Sequence, residues 1–592
     1  MKNIYKLLIL TIVASGSMFY SCETLELEKL ESPIALTNAD PDLLLNSIQL
    51  DFKNSMAELN FEGSTTGRVL VMGTRNYFAR YGSGTVSTTW NNLYADILPD
   101  ITAIEAANSA DNDLSYHLGM SKAMQATLMM NLVDYLGDIV YSEANNPGEF
   151  PSPKLDDDAA VYDAAMALLD EAAAYMSGAS AGTANDMFYN GDAGKWVKYI
   201  NTMKMRANLT IGNYPAVINA TNVISSTADD LEFKYGTQLI GPNTRHPDYN
   251  GDYTASGTGI YHSNWLMSMM VGQYGDFTPL IGGPEPDPRR RFYFYRQNWG
   301  TPGNYSLYSS GGSTFLYNTA PNGETLQCSL QTVPSHLEFT PDENYWCSVQ
   351  MGYWGRSHGN DEGTPPDGFL KTASSVYPAA GSFDGAPDVF VYTGTFPNYN
   401  EQFVALGAGG VGAGIEPIML ASFVDFYRAE AYLASNDPVN AATYLEAAIS
   451  KSIAKVQSFG DVDGAANSAA LASARNPARI ATFIAETMAA FNSAPTTSAL
   501  DGFGWPVEKD KMDILGEQLA VAQFGAGNDM FNFIRRTGHP RTFARSLEGS
   551  PGLFPRSVLY PSSEVSANPS INQKTDLATK VFWDQGVTNP AN

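Results

Sequence analysis

The sequence predicts a mainly α fold, built of helical layers with a large loop-rich insert and little β structure. Two observations point there. Apolar residues recur at helical spacing through the first third of the chain and again after Leu420. Between these blocks, from about residue 216 to 415, the chain turns rich in Gly, Pro, Asn, Ser and aromatics, with Lys371 as the only lysine after Thr237 and before Glu416. Beyond the first 20 residues no apolar run reaches the roughly 20 needed to cross a bilayer.

The chain has 592 residues and a net charge of −27, with 35 basic side chains. Such acidity opposes nucleic-acid binding, because phosphate neutralisation needs a basic face. The N-terminus has the anatomy of a secretory signal. Lys2 and Lys6 precede an apolar core, Leu7 to Val13, and small residues follow. The sequence Phe19-Tyr20-Ser21-Cys22 resembles a lipobox, with Phe19 in place of the usual leucine. This divides the chain into a signal peptide (1–21), an acidic tether bearing Glu23, Glu26 and Glu28 (22–37), and a main body (38–592). Lipidation is expected on Cys22, and several acyl chains make a firm anchor. Cys328 and Cys347 then remain as an even pair, which leaves a disulfide open.

The first helix is expected near Asn38 to Leu59, with Asp40 capping and Pro41 in the first turn. Met124, Leu128, Leu132 and Leu136 recur every four residues. Val161, Ala165, Leu168, Ala172 and Tyr175 mark another face, and Trp196, Ile200, Met203 and Ala207 a third. Asp156, Asp157 and Asp158 suit a helix start, favoured by the macrodipole. After the insert, Asp437-Pro438 opens a helix carrying Leu445, Ala448, Ile449 and Ile453, and Ile480, Ile484, Met488 and Phe491 form another face. Helix pairs of this size suggest tetratricopeptide-like stacking, without a clean 34-residue repeat. The helical scaffold is thus expected over 38–215 and 416–592, with the loop-rich part over 216–415 and a Pro-rich tail from about Arg536.

Motifs with a catalytic look lack their structural context. Gly178-Ala179-Ser180-Ala181-Gly182 matches a nucleophile elbow, but a helix precedes it where a strand is required. Gly407 to Gly412 matches a dinucleotide fingerprint, yet Pro417 follows and the next helix starts only near Ala421. Asp461 and Asp463 lack the other ligands of a calcium loop. Six histidines and no HExxH argue against catalytic zinc. No metal, cofactor or catalytic residue is assigned.

Seven stretches, in order, resemble the SusD/RagB family of outer-membrane nutrient-binding lipoproteins: "WNNLYADI" from Trp90, "NLVDYLGDIVYSEA" from Asn131, "YNGDAGKWVKYINTMKMRANLTI" from Tyr189, "PDPRRRFYF" from Pro286, "EPIMLASFVDFYRAEAYL" from Glu416, "FNFIRRTGHP" from Phe531 and "LFPRSVLYPSSEVSANP" from Leu553. Within them Trp196, Arg428, Glu430, Arg535 and Arg536 read as core and buried ion pairs. The resemblance implies a helical tetratricopeptide-like fold, an outer-membrane lipid anchor facing the cell exterior, and no catalytic site. It also implies capture of glycan, or of peptide, for a SusC-like TonB-dependent transporter. A surface hydrolase would need two carboxylates across a cleft; an adhesin would more often be built of β-sandwiches. A sugar ring offers an apolar face to aromatics and hydroxyl edges to polar side chains. Candidate ligand contacts are therefore Arg75, Asn76, Tyr77, Tyr81 and Trp90 in an early loop. In the insert they are Trp299, Tyr353, Trp354, Arg356, His358 and Asp361. Trp354 is expected to stack on sugar, with little effect on stability when removed.

Overall fold

A computed structural model describes residues 39–272, 284–297, 309–310, 313–314, 334–338, 340, 342, 353–360, 371–386 and 404–591. Cys22, Trp299, Cys328, Cys347 and Asp361 lie outside the described residues.

The fold is mainly helical. In the first block α1 spans Pro41–Thr66, α2 Ser115–Leu136, α3 Asp158–Met176 and α4 Ala193–Thr210. In the last block α5 spans Ala421–Ala434, α6 Pro438–Ser458, α7 Pro477–Ser493, α8 Lys511–Ala522 and α9 Asn528–Thr537. Local chemistry sets their starts. Asp40 caps α1 through the Asp42 N–H, Asp157 caps α3 through Ala160, and Asp437 caps α6 through Asn440. Helices α2 and α3 pack side by side, and α5 turns directly into α6 as a helical hairpin, the tetratricopeptide-like unit.

Helix α2 departs from the amphipathic expectation, because every residue from Tyr116 to Leu136 is buried. Most of its polar side chains are paired, although the Ser121 hydroxyl is buried without a partner among the described residues. Arg206 of α4 donates to Asn131 at 3.1 Å and to Asp529 of α9 at 2.6 Å, and Asn532 donates to Asp134 at 2.6 Å. A helix enclosed on all sides by other elements can keep such groups only when they find partners.

Four short strands pin the insert. β1 (Leu231–Lys234) pairs antiparallel with β4 (Ile415–Met419), so the insert leaves and rejoins the scaffold at one place. β2 (Phe294–Tyr295) pairs with β3 (Ala373–Ser374) inside it. Asp230, beside β1, accepts from the Ala421 N–H at 2.8 Å and so joins the insert to α5. The tail crosses the first block. The Val558 N–H donates to the Tyr135 carbonyl at 2.7 Å, and Trp583 Nε1 donates to Asp134 at 3.0 Å. Among the described residues, no helix is long and apolar enough to cross a membrane.

Of the residues read as core and buried ion pairs, Trp196, Glu430 and Arg536 behave so, whereas Arg428 is half-buried and donates to the Ala220 carbonyl at 2.8 Å. Trp196 is fully buried, and Arg536 grips Glu430 with two bonds of 2.9 Å. Arg535 is instead held by the Arg556 carbonyl and Asn532 at 2.6 Å, with its guanidinium 3.7 Å from the Phe531 ring centre and 4.6 Å from Trp583. The fingerprint-like run Gly407 to Gly412 forms turns and leads into β4, without a helix at its end.

Candidate functional site

Just past the end of α1, Arg68 is fully buried. Its guanidinium donates to the carbonyls of Thr66, Ala544 and Ala591 and, at 3.0 Å, to the Tyr77 hydroxyl. Tyr77 opens a four-residue helix, Tyr77–Arg80, capped by Asn76 Oδ1. The Tyr77 hydroxyl lies 3.3 Å from His358 Nε2. Burial first, then the Arg68 charge, holds the His358 imidazole neutral, its pKa well below the usual histidine range. The Tyr77 hydroxyl accepts from Arg68, which leaves its own proton for the neutral ring. Main-chain bonds complete the junction: Gly359 N–H to Met72 O at 2.9 Å, Leu547 N–H to His358 O and Tyr77 N–H to Pro551 O, both at 2.8 Å. The early loop, part of the insert and the C-terminal tail thus meet at one place.

The fold brings two predicted clusters together there, but most of their rings face inward. Tyr77 is 0 %, Tyr81 1 %, Trp90 3 %, Tyr353 2 %, Trp354 3 % and His358 3 % exposed. The expectation that these rings stand in solvent is corrected, because each has a protein partner. Tyr77 stacks on Tyr81 at 6.3 Å and meets Phe554 edge-on at 5.7 Å. Trp90 rests on Tyr94 at 4.5 Å. The Arg296 guanidinium sits 4.8 Å from the Tyr353 ring centre. The Trp354 main chain is held by Thr372, its N–H on Thr372 Oγ1 at 2.7 Å and its carbonyl accepting the Thr372 N–H at 3.1 Å. Arg356 is half-buried, 3.8 Å over the Tyr261 ring. Arg75 and Asn76 are exposed, as expected.

The apolar groups that do reach solvent are ones composition did not single out. Phe78 is 49 % exposed and Leu553 64 %. They lie on the two segments joined by the Tyr77–Pro551 bond, next to Arg75 and Asn76. Phe61 is 51 % exposed on α1, with the Arg80 guanidinium 5.5 Å over its ring. Arg80 is bound to Glu62, whose carboxyl burial pushes up to about 7 against the pull of that arginine. The available signal was positional. In a helix of one turn, adjacent Tyr77 and Phe78 cannot both point inward, so one must pack and the other show. An exposed ring flanked by an arginine and an amide can hold a ligand with one apolar face and polar edges.

A second cluster, away from this face, is structural. Asp510, Asp513 and His539 lie close enough to share a cation. Arg541 already donates to Asp510 at 2.7 Å and to Asp513, so its guanidinium supplies the positive charge.

Comparison with known proteins gives a consistent family. The family described as "starch-binding associating with outer membrane" matches residues 33–324. A SusD homologue from Bacteroides fragilis is similar in structure with a TM-score of 0.56 at 17 % identity, covering 92 % of this chain and 99 % of that one. A SusD/RagB family protein from Bacteroides thetaiotaomicron also gives 0.56, at 16 % identity, covering 93 % and 99 %. A chitin-binding SusD homologue from Flavobacterium johnsoniae gives 0.55 at 16 % identity, covering 92 % and 100 %. No curated protein matches in sequence.

Proposed function

Because the chain belongs to the SusD/RagB family, we propose that it is a non-catalytic surface protein that captures oligosaccharides or polysaccharides and passes them to a SusC-like TonB-dependent transporter. The observation that supports glycan over other ligands is the exposed Phe78 ring beside Arg75 and Asn76. A pyranose lays its apolar face on a phenyl ring, and its hydroxyls reach the guanidinium and amide at the rim. In this reading Arg75 and Asn76 keep the ligand role the sequence suggested, while Phe78 takes the stacking role from the buried tyrosines and tryptophans. Acyl chains on Cys22 anchor the protein in the outer membrane, facing the exterior. Unchanged fatty-acid labelling of Cys22→Ala would remove that anchor from the proposal.

The relatives named above suggest which glycans to offer first, namely malto-oligosaccharides and chitin oligosaccharides. Calorimetry of the soluble chain should detect binding of at least one class, with no reducing ends released on long incubation. Phe78→Ala should then weaken binding at this face about ten-fold, as loss of ~1–2 kcal/mol of ring contact requires. Its melting temperature should hold, since the side chain is half exposed. Full affinity in Phe78→Ala would sink the site, and released sugar would sink the non-catalytic reading.

A further inference from the structure

A concave site of about 390 Å³ opens where the start of α2 meets the end of α3. Its size falls within the range of small-ligand sites. Tyr175 and Ala174 line it, together with Asp113, Ser115, Glu171 and Ser177. Buried Lys122 holds Glu171 at 3.1 Å and Glu105 at 2.6 Å, which fixes Glu171 and balances part of its charge. Asp113 accepts the Ser115 N–H at 3.0 Å. A carboxylate has about four acceptor positions, so both acids retain capacity for further donors. None of these residues belongs to the face at Phe78.

We propose that this cavity is a second glycan subsite, taking one or two neutral pyranose units of the polymer that the Phe78 face holds. The inference rests on the glycan reading of that face. Three features of the lining favour a sugar over a simple cation. One aromatic ring is available for the apolar face of a pyranose. Hydroxyl and carboxylate groups surround it, suited to vicinal hydroxyl donors. One of the two acids is already matched by an ammonium group.

Position gives the site a purpose. Helix α2 has 22 residues. At 1.5 Å per residue it sets the cavity about 33 Å from the helix end. At that far end the Tyr135 hydroxyl bonds the Leu59 carbonyl, close to where α1 runs into the early loop. Two sites on one rigid body turn the second contact of a long polymer into an intramolecular step, which raises avidity without new contacts. Short oligosaccharides occupy the sites independently.

Calorimetry with a short oligosaccharide, and gel retardation with the matching polymer, test this. Wild type should bind two oligosaccharides per chain. Tyr175→Ala should bind one and lose about ten-fold or more in polymer affinity. Because Tyr175 is partly buried, Ala174→Trp at an exposed position of α3 supplies a fold-neutral block with the same expected loss. One oligosaccharide per wild-type chain, with polymer binding unchanged in both variants, overturns the second subsite and leaves the Phe78 face standing. No binding of any glycan by wild type overturns both.

Discussion

Trp354 sits 3 % exposed, its main-chain N–H on Thr372 Oγ1 at 2.7 Å. Truncating a buried indole removes transfer free energy and leaves a cavity, together about 3–5 kcal/mol. Trp354→Ala should therefore lower the melting temperature clearly, the opposite of the stability-neutral effect its sequence context suggested. A variant that melts like wild type would show that the indole is not packed. The same reasoning explains why the candidate site was half legible. Tyr and Trp were chosen by chemical type, and type does not reveal burial. Tyr77 is covered by His358, 281 positions away, and by Phe554. No local pattern encodes contacts at that separation. Arg75 and Asn76 are exposed because polar side chains in a loop face water, which residue type does indicate.

Between elements, one close backbone approach joins α1 to the start of α9. A side chain at Gly63 would collide with the Gly527 carbonyl and the Asn528 Cα, and one at Gly527 would collide with Ser64. The two backbones touch because neither carries a Cβ. These are steric requirements, since Gly527 has an ordinary φ of −70°. Gly63→Val should push the helices apart and cost about 2–4 kcal/mol, with Gly63→Ala milder but in the same direction. Thermal melts of both variants check this, and equal stability would mean the helices do not approach so closely. The starts of α1, α3 and α6 were legible, because Asp40, Asp157 and Asp437 act within three residues of themselves. The full burial of α2 was not. Spacing marks the apolar face, whereas Asn131 and Asp134 are matched by residues of α4 and α9 that spacing cannot see.

Across the whole molecule, buried acids make stability a function of pH. Burial raises Glu62, Glu416 and Asp252 to about 7, and Asp230 and Asp248 to about 6. A carboxyl whose folded pKa exceeds its unfolded value is penalised at high pH, and the penalty fades as pH falls through the folded value. Each such group gains about 1.4 kcal/mol per pH unit between its two pKa values. Burial works the other way on three histidines, lowering His246 to about 3, His262 to about 4 and His358 well below its usual value. They cost stability as pH falls below 6.5, the unfolded value. From pH 8 to about 7 the buried Lys574, whose pKa burial lowers to about 7, opposes the acids, and from about 7 to 6.5 the acids act without it. From 6.5 to about 4.5 five acids oppose three histidines, and relief of self-repulsion at a net charge of −27 adds to the acids' side. Below about 4 the acids' gain ends while the histidine cost continues. Asp229, which burial pushes up but the bonds from Lys198 and Ser226 and the Lys198 charge together hold low, then loses those bonds. Maximum stability is therefore expected near pH 5, with a melting temperature above that at pH 8. Glu416→Gln isolates one acid. It keeps the partners Asn60 and Tyr235, whose bonds of 2.7 and 3.2 Å suit an amide. It should stabilise by roughly 2–3 kcal/mol at pH 8 and by much less at pH 5. A melting temperature that climbs from pH 5 to 8, or an equal gain from Glu416→Gln at both, would show that these acids are ionised in the folded chain.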